Sequence, residues 1–212
     1  MYKIKVLIAD DHAVVRQGLK HIIARDPRIE VVGEAENGNE VLEKVKVLDI
    51  DVILMDIEMP EKNGMETLTQ LKDSDPNIPV IILSIFQEEL YGLRLIQSGA
   101  SSYLSKTCPP NQLLEAIYKV ANGGKYITPS LGELLVKNMD NESNKPIHES
   151  LSNREYQVFF MIASGKKQKD IAAELSISIN TVNVHRANIL KKINAKSNSE
   201  IMRYALQNNL IK

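Results

Sequence analysis

Short apolar runs alternate with amphipathic stretches over residues 3–123. The runs VLIA, VILM and VIIL carry no polar interruption, which is the pattern of parallel strands covered by helices on both faces. They predict strands near 4–9, 30–35, 51–55, 79–84 and 101–104 and helices near 13–25, 38–48, 64–74, 88–98 and 110–122. That is five βα units in succession. Asn63-Gly64, Gly99 and Gly123-Gly124 supply turns or helix ends, and Asp75-Pro76 with Pro79 breaks the chain before the fourth strand.

The pattern then changes twice. Thr128-Pro129 reads as a helix start, with a capping hydroxyl and proline at the first helical position, and predicts a short helix over 129–138. Residues 138–150, NMDNESNKPIHES, are polar and aperiodic, the composition of a linker. From Leu151 onward four helices are expected without strands, near 152–163, 168–175, 179–193 and 197–208, with breaks at Gly165 and Ser176–Ser178. The expected organisation is therefore an α/β doubly wound domain over 1–124, a linker containing a short helix over 125–150, and an all-α domain over 151–212.

Charge sharpens this division. The 212-residue chain has net charge −1, but residues 1–149 carry −7 and residues 150–212 carry +6. A small basic domain beside an acidic one suggests that the former meets a polyanion. Cys108 is the only cysteine, so no internal disulfide can form. No apolar stretch approaches the roughly 18 residues of a membrane span, and the first residues lack a cleavable signal pattern, so a cytoplasmic protein is expected.

Four of the apolar runs stop at residues suited to phosphate and metal chemistry. KVLIA leads into Asp10 and Asp11, DVILM into Asp56, PVIIL into Ser84, and SSYLS into Lys106. In an open parallel sheet the ligand crevice lies beyond the carboxyl ends of the strands, so these side chains are expected to converge. Three carboxylates together call for a cation, and Mg²⁺ suits hard oxygen ligands. Asp56, after the middle strand, is placed to act as a nucleophile toward phosphorus, with Lys106 and Ser84 stabilising phosphoryl oxygens. His12 beside the acidic pair is set aside as a ligand, because such a site has little use for imidazole, and is expected to open the first helix.

On these residues, 4–122 resemble a response-regulator receiver domain: the acidic pair Asp10 and Asp11, Asp56 in a D-x-x-M-P context ending at Pro60, Ser84, the aromatic Tyr103, and Lys106. The resemblance implies a flavodoxin-like sheet of order 2-1-3-4-5 and phosphorylation of Asp56 by a histidine kinase. It also implies Asp11 and Asp56 as direct Mg²⁺ ligands, Asp10 acting through water, and the backbone carbonyl of Glu58 completing the protein ligands. Ser84 and Tyr103 would switch together. Thr107 stands where many receivers have proline after the lysine, so no cis peptide is implied there.

In the basic domain, Val182, Ile189 and Ile193 fall on one face of the 179–193 helix with Arg186 at its border. Asn180, Val184, Ala187 and Lys191 lie opposite, flanked by Asn183 and Asn188. That outward face offers amides for base edges and an apolar contact for a thymine methyl. Lysines 166, 167, 169, 191, 192 and 196 surround it with Arg186, so the two helices joined by the 176–178 break read as a helix-turn-helix. LSNRE at 151–155, GKKQKDIAAELSIS at 165–178 and TVNVH at 181–185 resemble the LuxR/FixJ-type DNA-binding domain, and the two halves together resemble a NarL/FixJ-family response regulator.

The match implies base contacts from Asn183, Val184 and Ala187. DNA-binding positions expected in all are Lys167, Lys169, Asn180, Thr181, Asn183, Val184, Arg186, Ala187, Lys191 and Lys192. A dimer contact is implied for the last helix at Ile201 and Ala205. Expected partners are a sensor histidine kinase, promoter DNA read at two half-sites, a second copy of the chain, and RNA polymerase at the promoter. The protein is thus read as a transcription factor rather than an enzyme. A phosphatase of the haloacid dehalogenase type also uses strand-end carboxylates with Mg²⁺, but it places them as D-x-D after the first strand, whereas here the first-strand aspartates are adjacent. A bare interaction module with a vestigial metal site would not require the full set of matched residues.

Overall fold

The computed structural model describes residues 3–86, 88–139, 146–175, 177–208 and 210–211. It forms two compact units, Met1–Asn138 and Met139–Lys212. The first holds strands β1 (Ile4–Ala9), β2 (Ile29–Ala35), β3 (Val52–Asp56), β4 (Val80–Ser84) and β5 (Ser102–Ser105). Between and after them run α1 (Ala13–Ile23), α2 (Gly38–Val45), α3 (Gly64–Ser74), α4 (Glu88–Gln97), α5 (Pro110–Ala121) and α6 (Pro129–Met139). All strand pairs are parallel and the order is β2-β1-β3-β4-β5.

Right-handed crossovers on this order send α1 and α5 to one face and α2, α3 and α4 to the other. Accordingly Val6, Ile8, Leu54, Ile81 and Leu104 pack with Ile23 of α1 and Leu113, Ile117 and Val120 of α5. Every residue of β3 and β4 is buried, which is why neither run alternates in polarity. Asn37 and Asn63 cap α2 and α3 by accepting hydrogen bonds from Glu40 N and Glu66 N. A Cβ at Gly64 would lie 2.0 Å from the Asp56 carbonyl oxygen, so only glycine lets α3 start this close to the end of β3.

The segment expected to be a linker is largely built into the two units. Tyr126 donates its N–H to Ser101 O and bridges to Ser102, extending the β5 edge. α6 forms where Thr128-Pro129 placed it, but it packs on the first unit, with Leu131 fully buried. Residues 147–150 form a 3-10 turn in the second unit, where His148 is buried against Tyr156 and Tyr204. The remainder of the expected linker, 140–145, lies outside the described residues, as does Ser176 in the expected break.

The second unit contains α7 (Asn153–Ala163), α8 (Gln168–Glu174), α9 (Ile179–Lys192) and α10 (Asn198–Gln207). α7 opens with a reciprocal capping box between Ser152 and Glu155. Ser178 caps α9 and Ser197 caps α10. Phe159, Ile162, Ile171, Val182, Ile189, Ile201 and Ala205 form the core. No described helix is long and apolar enough to cross a membrane.

Candidate phosphoacceptor site and nucleic-acid interface

The register of the sheet brings the strand-end residues together. Ala9 pairs with Met55, Asp56 with Leu83, and Ser84 with Ser105, so Asp10, Asp56, Ser84 and Lys106 emerge at the same edge. The order reverses between β1 and β3, the switch point where open α/β sheets place their ligands. Lys106 Nζ lies 2.7 Å from Asp10 Oδ2 and 2.8 Å from Asp56 Oδ2. Asp10, Asp56 and Ser84 are buried, whereas Asp11 is exposed.

Burial pushes the Asp56 carboxyl up to about 6, against the pull of Lys106, with the Asp10 charge adding to the rise. Burial also works against the Lys106 charge, yet the Asp56 and Asp10 carboxylates outweigh it and hold the ammonium above its ordinary value. The two groups therefore face each other as carboxylate and ammonium at neutral pH.

The residues fit a hard cation. Ligand atoms of Asp10, Asp11, His12 and Asp56 lie within 4.8 Å of one another. The three carboxylates of this cluster, two of them on buried residues, share among the described residues the single ammonium of Lys106 as the cation at the strand ends, so their oxygen donors suit a further positive partner. The imidazole of His12 is turned to Asp11, 2.7 Å from its Oδ1, and His12 is the residue from which α1 begins.

Arg16, which sequence reasoning passed over, braces this corner. Its guanidinium donates to the Asp10 carbonyl oxygen at 2.7 Å and pairs with Glu34 and Glu36 at 3.0 and 2.6 Å. An arginine on an amphipathic helix reads as a solvated charge; only the fold reveals that its partners are a backbone carbonyl and two acids from β2 and the segment after it. Ser84 Oγ accepts from Phe86 N at 3.1 Å, and Tyr103, fully buried, donates its hydroxyl to Phe86 O at 3.0 Å. Tyr103 and Ser84 thus both bond the backbone of Phe86.

In the second unit, α9 has the expected two faces. Val182 and Ile189 are buried, and Asn180, Asn183, Val184, Ala187, Asn188 and Lys191 are exposed or partly exposed; Val184 is 59 % exposed. Lys167 and Lys169 are exposed at the start of α8, and Thr181 is half-buried with its hydroxyl 2.8 Å from Ser178 Oγ.

One expectation changes, and two of the basic residues have partners inside the unit. Lys192 is exposed, but its ammonium lies 2.7 Å from the buried Glu155 carboxylate and 3.2 Å from Ser150 O, tying the end of α9 to the start of α7. Arg186 donates to Asn198 Oδ1 at 2.6 Å, joining α9 to α10. Ile201 and Ala205 are fully buried inside the unit and cannot meet a second copy; the apolar residues that α10 exposes are Met202 and Leu206, 38 % and 48 %. The helical period of α10 is as expected, but its apolar stripe faces inward, because the small unit needs it for its own core.

Residues 6–118 match the response regulator receiver domain, and residues 149–205 match the bacterial regulatory proteins of the luxR family. The chain is 36% identical to the transcriptional regulatory protein DegU of Brevibacillus brevis over 227 aligned positions, covering 99% of this chain and 96% of DegU. It is 35% identical to the oxygen regulatory protein NreC of Staphylococcus carnosus, covering 98% and 99%. Among solved structures, the response regulator ChrA of a heme-sensing two-component system aligns over the full length of both chains at 31% identity and a TM-score of 0.55. With both domains matched in order and relatives similar over their whole length, the chain belongs to the NarL/FixJ family of two-component response regulators, a receiver domain joined to a LuxR-type helix-turn-helix DNA-binding domain.

Proposed function

We propose that this response regulator takes a phosphoryl group from a sensor histidine kinase onto Asp56 and answers by binding promoter DNA as a dimer. The observation that carries the reading is the Lys106 ammonium held between the Asp10 and Asp56 carboxylates at the carboxyl ends of the paired strands β1 and β3. An Asp56 carboxylate oxygen attacks phosphorus of the donor phosphohistidine; the phosphorus–nitrogen bond breaks and the ring nitrogen keeps its electron pair. With its carboxyl pushed up to about 6, Asp56 is ionised and nucleophilic at neutral pH. Lys106 is within reach of a phosphoryl oxygen as a point charge, and Ser84 can turn its hydroxyl from Phe86 N to another. Asp11, Asp56 and the Glu58 carbonyl would hold Mg²⁺, with Asp10 acting through water, and the ion would neutralise charge on the attacking and phosphoryl oxygens.

On the output side, Asn183, Val184 and Ala187 are assigned to base edges and Lys167, Lys169, Asn180 and Lys191 to the backbone of the duplex, because all lie on the outward side of α9 or beside it. Met202 and Leu206 are assigned to the contact with a second copy. A phosphohistidine donor and promoter DNA place this activity in the cytoplasm. The test is incubation with acetyl phosphate and Mg²⁺ followed by intact mass spectrometry. One labile phosphoryl group is expected on the wild-type chain and none on Asp56→Asn; equal labelling of both would overturn the assignment.

A further inference from the structure

α6 lies alongside α4 and is fastened to it at three levels. At its start, the Glu88 carboxylate accepts from the Thr128 hydroxyl, which caps α6, and from Ser130 Oγ at 3.3 Å. One turn on, the fully buried Leu131 side chain sits against Gly92, where an added Cβ would come within 2.9 Å of it. Near the far end, Gln97 Nε2 donates to Asn138 Oδ1 at 3.2 Å. Residues 88, 92 and 97 thus meet 128–130, 131 and 138 in the same order, so the two helices run side by side in one direction.

The head of α4 is also where the strand-end site makes itself felt. Phe86 accepts Tyr103 OH on its carbonyl, donates its N–H to Ser84 Oγ, and sets its ring centroid 5.1 Å from that of Tyr91 in α4, the two planes tilted by 46°. Glu88 follows two residues later. If Ser84 swings its Oγ toward a phosphoryl group, the oxygen leaves the Phe86 N–H that it accepts, the bond that positions Phe86 is lost, and the peptide carrying Glu88 moves with it. The fastening most exposed to that movement is the carboxylate on Thr128 and Ser130, since it consists of two hydroxyl contacts at the end of a helix of 11 residues whose outward face includes an exposed Val136.

We propose that α6 is a strap latched to α4 by Glu88, and that occupation of the Asp56 site opens the latch and frees α6. The inference rests on Asp56 as phosphoacceptor, but it concerns a different element. The chain leads from α6 into the DNA-binding unit, so the strap turns a small movement beside Ser84 into a change in the freedom of the connecting segment, which is a two-state element of the kind allostery requires.

The experiment is hydrogen–deuterium exchange of the full chain with and without beryllofluoride and Mg²⁺, with occupancy read independently from the ¹⁹F NMR signal of the bound fluoride. Exchange of the peptide covering 129–139 should rise by between about 5- and 150-fold on occupation, the span of typical allosteric coupling. Glu88→Ala should raise it without beryllofluoride, and Glu88→Gln, which still accepts hydrogen bonds, should raise it less. In a Cys108→Ser background, an oxidised Gln97→Cys/Asn138→Cys pair should suppress the rise while phosphorylation by acetyl phosphate continues. Bound fluoride with unchanged α6 exchange would overturn the strap alone. No bound fluoride and no phosphorylation would overturn the phosphoacceptor reading and the strap with it.

Discussion

Replacing Asp56 with asparagine should stabilise the first unit while abolishing its phosphorylation. Asp56 is 4 % exposed, and its carboxyl is raised from 3.8 to about 6, chiefly by burial, even with Lys106 2.8 Å away. A carboxyl raised in the folded state keeps its proton at pH values where the unfolded chain has lost it. Folding stability therefore falls as pH rises from about 4 through about 6, and the full penalty is present above that. At about 1.4 kcal/mol per pH unit, the penalty at pH 7.5 is about 3 kcal/mol. The asparagine side chain resembles the protonated carboxyl in size and charge, so Asp56→Asn should gain up to about 3 kcal/mol at pH 7.5, about half of that at pH 5, and almost nothing below pH 4. Urea unfolding in the presence of EDTA, followed by far-UV circular dichroism with amide exchange in β1 and β3 to identify the transition, gives the difference directly. A variant no more stable than wild type at pH 7.5, or a gain that does not shrink as pH falls, would refute the account of Asp56 as a charge held in the fold against its solvation.

The C-terminal unit yields three further tests. Lys192→Ala should cost about 1–3 kcal/mol by leaving the buried Glu155 carboxylate without its cation, whereas Lys191→Ala should leave stability alone and flatten the plot of log affinity against log salt by about one per site; thermal melts and a salt titration separate the two. Asn183→Ala should bring affinity for a specific duplex close to that for a scrambled one, and an equal loss on both duplexes would show that Asn183 reads no base. Met202→Glu with Leu206→Glu should abolish dimers on DNA in sedimentation experiments without loss of helicity, whereas Ile201→Ala should cost about 2–5 kcal/mol of stability through the cavity it leaves.

Much of the candidate site was legible because its residues are tied to element ends. A parallel strand buried on both faces announces itself as an unbroken apolar run, so the residue where the run stops is known from the sequence, and the crossover rule makes all such ends share one edge. Asp10, Asp56, Ser84 and Lys106 follow from that logic. Likewise, α9 shows two faces by period alone, and Ser152, Ser178 and Ser197 mark the helix starts they cap.

What the sequence could not determine is which partner a polar or apolar side chain finds across the fold. Lys192 and Lys191 are neighbours in the same basic run, yet the turn of the helix sends one to Glu155 and leaves the other in solvent. Arg16 sits on a helix like any surface arginine until β2 brings Glu34 and Glu36 beneath it. Ile201 and Ala205 could face a second copy or their own core, and the choice depends on the position of α7. Residues 125–150 look like a connector because their periodicity is weak, but the open β5 edge, the gap at Gly92 and the aromatic pocket around Tyr204 each capture part of them. Periodicity and caps act over a few residues along the chain and are written in its order, whereas these pairings join residues 18 to 56 positions apart and exist only once packing has fixed which surfaces meet.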